Sequence, residues 1–219
     1  MTSTRPASLT DELLERLVSR VPSTSGGTWK LTEVYTGDVL VELPQSTPDD
    51  IAAAFAEARR AQAEWSQWPL ARRLKVFKKF HTLVVDHQEE IADLIQAESG
   101  KNRRMAVEET CDIPMTTSHY IKRAPRLLAD KKRAGPVPFV SGSTEIRQPK
   151  GVVGIIAPWN FPFATSISDA VPALIAGNGV VVKPDNKTAL SGLYGVELLE
   201  RAGLPRGLLQ VVCGEGPDV

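Results

Sequence analysis

Val152-Val153-Gly154-Ile155-Ile156, Gly179-Val180-Val181-Val182-Lys183 and Leu208-Leu209-Gln210-Val211-Val212-Cys213 are three short apolar runs. Between them lie two stretches with helical periodicity, Ser166 to Ala176 and Ala189 to Ala202. Strand, helix, strand, helix, strand is the signature of a parallel sheet, whose neighbouring strands need crossover connections. The first two runs are apolar throughout, which predicts strands covered on both faces. The fold class read from this region is α/β, built around a parallel sheet.

Ligands in open parallel sheets bind beyond the carboxyl ends of the strands. Three loops occupy those ends: Ala157-Pro158-Trp159-Asn160-Phe161-Pro162, Lys183-Pro184-Asp185-Asn186-Lys187-Thr188 and Gly214-Glu215-Gly216-Pro217. Asn160 carries a neutral amide donor able to stabilise a developing oxyanion. Lys183 places a cation at a strand end, suited to phosphate or ribose hydroxyls. Gly214 and Gly216 allow close approach of backbone to a ligand. Singly, each of these residues reads more simply as the end of a strand or the cap of a turn. At three successive strand ends together, they read as a site.

Working outward, Gly135-Pro136-Val137-Pro138 punctuates the chain and Ser143 to Gln148 is a β-rich run. A third helical stretch runs from about Arg103 towards Lys132, with Pro114 and Pro125 expected to kink or split it. Leu74 to Ile95 reads as one long helix stopped by Gly100. Thr47-Pro48-Asp49-Asp50 is a helix start, and Pro69 ends that helix. Trp29 to Leu43 predicts a hairpin around Thr36-Gly37-Asp38. Leu9, Leu13, Leu14, Leu17 and Val18 form a helical stripe capped near Ser8 or Thr10. That helix is expected on a loose arm, followed by a flexible linker from Val21 to Gly27. The organisation is thus an arm and linker over 1–27, a hairpin and helical part over 28–134, a connecting β-segment over 135–150 and a βαβαβ part over 151–219.

The 219 residues include 26 basic and 26 acidic side chains, a balance without the basic excess of a nucleic-acid domain. Six basic residues between Lys122 and Arg133 read as a solvated face. No apolar run reaches the ~18 residues of a spanning helix, and Met1 to Gly27 has no secretory h-region. Two cysteines make no disulfide framework, so the expected compartment is reducing, the cytoplasm. His81, His87 and His119 have no metal-ligand spacing.

Gly151 to Pro162, Pro172-Ala-Leu-Ile-Ala-Gly-Asn-Gly-Val-Val-Val-Lys-Pro184 and Gly203-Leu-Pro-Arg-Gly-Leu-Leu-Gln-Val-Val212 together resemble the NAD(P)-dependent aldehyde dehydrogenases, in that family's order and spacing. The segment with Trp65, Arg72 and Arg73, and the ending Glu98-Ser-Gly-Lys101, are similar too. The resemblance covers roughly residues 30–219 and implies a split nucleotide-binding domain, with 151–219 as its nucleotide-binding βαβαβ part, and oxidation of an aldehyde to a carboxylic acid with NADP or NAD. It implies that Asn160 helps to form the oxyanion hole. Ile156, Ala157, Pro158 and Trp159 match the loop along the nicotinamide. Lys183 matches the lysine on the adenine ribose, with Pro184 and Asp185 following it. Asn186 stands where the family often has a glutamate on both ribose hydroxyls, a change that favours NADP; it is expected to face the ribose and Asp185 to face away. Gly216 and Pro217 match the loop near the pyrophosphate.

The family's nucleophilic cysteine and general-base glutamate fall beyond Val219, so the resemblance implies that this chain lacks the catalytic half. Cys111 sits among acids that raise a thiol pKa, and Cys213 ends a strand; neither is expected to substitute. The chain is most similar to NADP-dependent succinate-semialdehyde dehydrogenases, although Ser168 stands where such enzymes commonly carry an arginine. A homo-oligomer pairing through strands such as Ser143 to Gln148 is implied for the full-length protein. The alternatives are a CoA-acylating or acyl-phosphate-reducing relative, or a non-catalytic binding or assembly module.

Overall fold

The computed structural model describes residues 5–137 and 140–216. The three apolar runs form a parallel sheet in the order β5 (Val152–Ile156), β6 (Gly179–Lys183), β7 (Leu209–Val211). Ile156 lies opposite Lys183, and Val182 opposite Val211. The crossovers are α6 (Pro162–Ile167) with α7 (Ala170–Ile175), and α8 (Leu190–Ala202). A 3₁₀ turn, Asn186–Thr188, leads into α8.

β6 is buried from Gly179 to Val182, as an apolar central strand should be. β5 departs from that expectation. It is an edge strand, with Val152, Val153 and Ile155 half-buried, Gly154 exposed and Ile156 at 80% exposure. One face of the sheet is covered by α2 (Pro48–Trp65), whose Ala54 and Ala58 pack on Val181 and Val212. The approach is close: a Cβ on Gly179 would stand 2.8 Å from the Ala58 carbonyl oxygen. α2 starts as its sequence predicts, with Thr47 and Asp50 forming a reciprocal capping box.

The helices ahead of the sheet differ in detail from the sequence reading. The long helix expected from Leu74 to Gly100 is two, α3 (Leu70–Asp86) and α4 (Gln88–Ser99), broken at His87 with φ −105° and ψ 20°. Gly100 ends α4 at φ +72°, the left-handed cap that favours glycine. α5 (Arg103–Leu127) runs unbroken through Pro114 and Pro125. Each proline removes one ladder hydrogen bond. Burial of Ala106, Ile113, Thr117 and Ala124 along the helix offsets that loss. α5 ends before Lys131, because Lys131–Ala134 (β3) pairs antiparallel with Gly142–Glu145 (β4). Of the prolines in the Gly135–Pro138 punctuator, Pro138 lies outside the described residues.

The N-terminal arm is docked, not loose. α1 (Asp11–Val18), capped by Thr10, buries Leu13, Leu14, Leu17 and Val18, and Leu9 just ahead of it is buried too. Arg16 pairs with Glu197 and Arg20 with Glu200, both acids on α8. The expected linker is also tied down. Ser23 Oγ donates to the Gln45 carbonyl at 2.7 Å, and the Thr24 N–H donates to Asp50 Oδ2 at 3.0 Å. A stripe of four apolar residues on so short a helix, with Leu9 ahead of it, has no stable place in water, so it completes the core instead. The hairpin β1 (Thr28–Thr32) and β2 (Val39–Pro44) forms as predicted.

The N-terminus of α8 is buried and has no cap of its own. Glu98, at the end of α4, supplies one: its two carboxylate oxygens accept from the Leu190 N–H at 2.8 Å and the Ser191 N–H at 3.0 Å. Burial nevertheless pushes the Glu98 carboxyl up to about 7.

Two outcomes follow from this packing. Leu17 is fully buried, so Leu17→Ala should cost about 2–5 kcal/mol of stability. Chemical denaturation measures it; a loss near zero would mean that the arm is dispensable. Glu98 should make stability fall as pH rises. The folded chain keeps its proton up to about 7, whereas an unfolded glutamate loses it near 4.5. The stabilisation is therefore complete below the lower value and lost as pH rises through the upper one. Thermal midpoints of Glu98→Gln and the parent should diverge across that window, with the parent losing more on the alkaline side. Parallel curves would contradict the assignment.

Candidate active site

The carboxyl ends of β5, β6 and β7 bring the three sequence-predicted loops side by side. The Ala157 N–H donates to the Lys183 carbonyl at 2.9 Å, and the Val212 N–H to the Val182 carbonyl at 3.0 Å, so the ladder extends into the loops. Ala157 is buried, whereas Ile156, Pro158, Trp159 and Asn160 are exposed. Asn160 stands on the lip of an open cleft of about 690 Å³ between this loop and α5, lined also by Met105, Asp112, Met115 and Phe161. Among the described residues the Asn160 side chain has no hydrogen-bond partner, so its amide is available to a ligand.

The backbone around Asn160 is held from both sides. The Phe161 carbonyl accepts from the Thr165 N–H at 2.9 Å and from the Thr165 hydroxyl at 2.7 Å. Glu109, fully buried on α5, accepts the Phe163 N–H at 2.9 Å and the Ala164 N–H at 3.1 Å through Oε1. Its other oxygen pairs with Lys101 Nζ, and that ammonium lies 3.8 Å from the Phe161 ring centre. The sequence reading missed Glu109, which it treated only as an acidic neighbour of Cys111. The two point to different sides of α5, Glu109 inward and Cys111 outward.

At the second strand end Lys183 is half-buried, makes no ion pair among the described residues and donates only to the adjacent Pro184 carbonyl, at 3.4 Å. Pro184 is buried. Asp185 turns back on its own chain and accepts the Lys187 N–H at 2.9 Å. Asn186 is the residue expected to face the ribose. It is buried, its Nδ2 donates to Gln45 Oε1 at 2.9 Å, and its Oδ1 has no partner. The reason is the 3₁₀ turn, which rotates Asn186 towards the end of the hairpin. At the third strand end Gly216 is exposed, with nothing within 4 Å of where a Cβ would stand. Pro217 lies outside the described residues.

Neither thiol is poised for attack. Burial pushes Cys213 up to about 12, the Lys183 cation countering this only in part. Cys111 is exposed on α5, away from the loop. Ser168, at the position of interest for substrate charge, donates its hydroxyl to Asp112 in the cleft beside the exposed Asp169.

The surroundings of this site match known proteins over nearly the whole chain. A "Putative succinate-semialdehyde dehydrogenase [NADP(+)]" of Mycolicibacterium smegmatis is 47% identical over 189 residues, 86% of this chain and 37% of that protein. A similarly named protein of Mycobacterium ulcerans is 43% identical over 98% of this chain and 41% of its own length. Among solved structures, a betaine aldehyde dehydrogenase from Staphylococcus aureus in complex with NAD+ superposes with a TM-score of 0.88 at 28% identity, covering 97% of this chain and 43% of that one. An NAD-dependent benzaldehyde dehydrogenase from Corynebacterium glutamicum gives 0.84 at 33% identity, over 90% of this chain and 43% of that one. The chain thus spans about two fifths of the length of the curated relatives it matches. The model of the aldehyde dehydrogenase family matches residues 21–219, from the end of the docked arm through all three strand-end loops, and the chain belongs to that family.

Proposed function

We propose that this chain forms the cofactor and oxyanion side of an NAD(P)-dependent aldehyde dehydrogenase that oxidises an aldehyde to a carboxylic acid. The observation that carries the proposal is Asn160: an unpartnered amide on a backbone clamped from two sides, at the lip of a cleft and at the carboxyl end of a parallel strand. When a thiolate adds to the aldehyde carbon, the carbonyl oxygen gains negative charge, and the Asn160 Nδ2 donates to it. Collapse of that adduct expels hydride, and water cleaves the resulting thioester to release the acid. The nicotinamide, when bound, supplies the hydride acceptor. Neither cysteine of these residues is placed to supply the thiolate: Cys213 is buried, and Cys111 is exposed on α5 beside Gln88.

The strand ends suit a dinucleotide. Among the described residues Lys183 is a half-buried cation without a carboxylate partner, and Gly216 leaves room for close approach. Ile156, Ala157, Pro158 and Trp159 would flank the nicotinamide; Lys183, with Pro184, Asp185 and Asn186, the adenine ribose; Gly216 and Pro217 the pyrophosphate. The cofactor proposed is NADP, because no carboxylate stands at position 186 to repel a 2′-phosphate and the named mycobacterial relatives carry NADP(+) in their names. The same relatives support succinic semialdehyde as the substrate, although Ser168 brings no cation to the cleft. The exposed β3–β4 ribbon supports a homo-oligomer, and the two free cysteines support a cytoplasmic setting. No helix among the described residues is long and apolar enough to cross a membrane.

Two measurements test this reading in the polypeptide that joins this chain to its nucleophile. Asn160→Ala should lower turnover by about 10²–10³ while cofactor affinity stays within about twofold. Unchanged turnover would make Asn160 a structural residue. Specificity constants should favour NADP over NAD, and Asn186→Glu should move the ratio towards NAD by about tenfold, the size of one charge-assisted contact. Preference for NAD in the parent, or indifference to the substitution, would remove the ribose role of Asn186.

A further inference from the structure

We infer that the buried Lys101–Glu109 pair is the positioning device that aims the Asn160 amide, a proposal that rests on the oxyanion reading above. The two residues belong to different elements. Lys101 lies in the turn between α4 and α5, and Glu109 lies within α5. Both are withdrawn from water, with side-chain exposures of 11% and 0%. Their contacts converge on one short segment. Lys101 Nζ sits over the ring of Phe161, the residue after Asn160, and Glu109 Oε1 holds the N–H groups of Phe163 and Ala164.

The loop that carries Asn160 is therefore fixed at Ala157 by the β-ladder and from Phe161 onward by this pair. Asn160 makes no side-chain hydrogen bond among the described residues, so the backbone that carries its Cβ is what sets where the amide can reach. A helix-capping role explains the bonds from Glu109 to the first turn of α6. It does not explain a second, cationic contact on Phe161. A buried ion pair is also a poor way to gain stability, since apolar replacements of similar volume often serve folding as well or better. Precise placement of a donor is a sufficient reason for it, because displacements near 1 Å in a reacting geometry cost about 10²-fold in rate.

The test is a double-mutant cycle in the active enzyme. Glu109→Gln keeps a carbonyl oxygen for the two N–H groups but leaves Lys101 unpaired, and Lys101→Met removes the cation at the more exposed end. Each is expected to lower kcat about tenfold in the parent, with KM for the cofactor within about twofold, and to have less than a twofold effect when Asn160 is already alanine. Losses that persist in full in the Asn160→Ala background, or an unchanged kcat in both single variants, would overturn the proposal. Lys101→Met decides the matter if Glu109→Gln does not fold. Amide exchange of the 159–164 segment separates this idea from the function it rests on. If Asn160→Ala leaves turnover intact, the oxyanion reading fails. Faster exchange in the Glu109→Gln protein would then still support the clamp on this loop, and unchanged exchange would overturn it.

Discussion

Helices α6 and α8 begin at the carboxyl ends of parallel strands, where their first-turn N–H groups are buried and neither helix carries a side-chain cap of its own. Buried donors left without acceptors cost about 1–3 kcal/mol each. Two buried carboxylates meet that constraint, Glu109 at α6 and Glu98 at α8. Both reach in from the helical layer that precedes the sheet in sequence. The site loops are therefore held by residues about 50 and 90 positions upstream, and the two layers cannot be treated as separate modules.

The two carboxylates solve the same problem differently. Glu98 makes no ion pair among the described residues, and its carboxyl is pushed up to about 7 by burial, towards the protonated form. Glu109 keeps Lys101 against it. The loop with Asn160 is thus secured by a charged pair, whereas the loop with Asn186 and Lys187 rests on a carboxyl that exchanges a proton near neutrality. The rest of the packing supports this arrangement. α2 can approach β6 closely because Gly179 has no side chain, and the N-terminal arm packs on α8 with an apolar stripe and three ion pairs, from Arg16 and Arg20 to Glu197 and Glu200.

Much of the site was legible because its residues lie in sequence next to the strands that present them. The apolar runs ending at Ile156, Lys183 and Cys213 located the sheet, and the residues after them located the loops. The helix start at Thr47-Pro48-Asp49-Asp50 and the Gly100 stop were legible for a similar reason: each depends on neighbours within four residues. The prolines of α5, expected to kink or split it, do not split it. Local propensity argues for a break at Pro114 and Pro125, and burial along the helix face outweighs it. The break at His87 inside an unbroken apolar pattern was equally hidden, because a change of helix direction leaves the periodicity intact.

The sequence by itself determined the βαβ order, the three strand-end loops and the family, since all of these rest on local pattern and motif. Only the tertiary structure decided that the N-terminal helix is part of the core, that Asn186 turns towards Gln45 and that Glu109 and Lys101 converge on the loop of Asn160. The physical reason is that these are long-range polar and apolar contacts. Periodicity records which face of a helix is buried, but not which buried N–H or aromatic ring that face will meet.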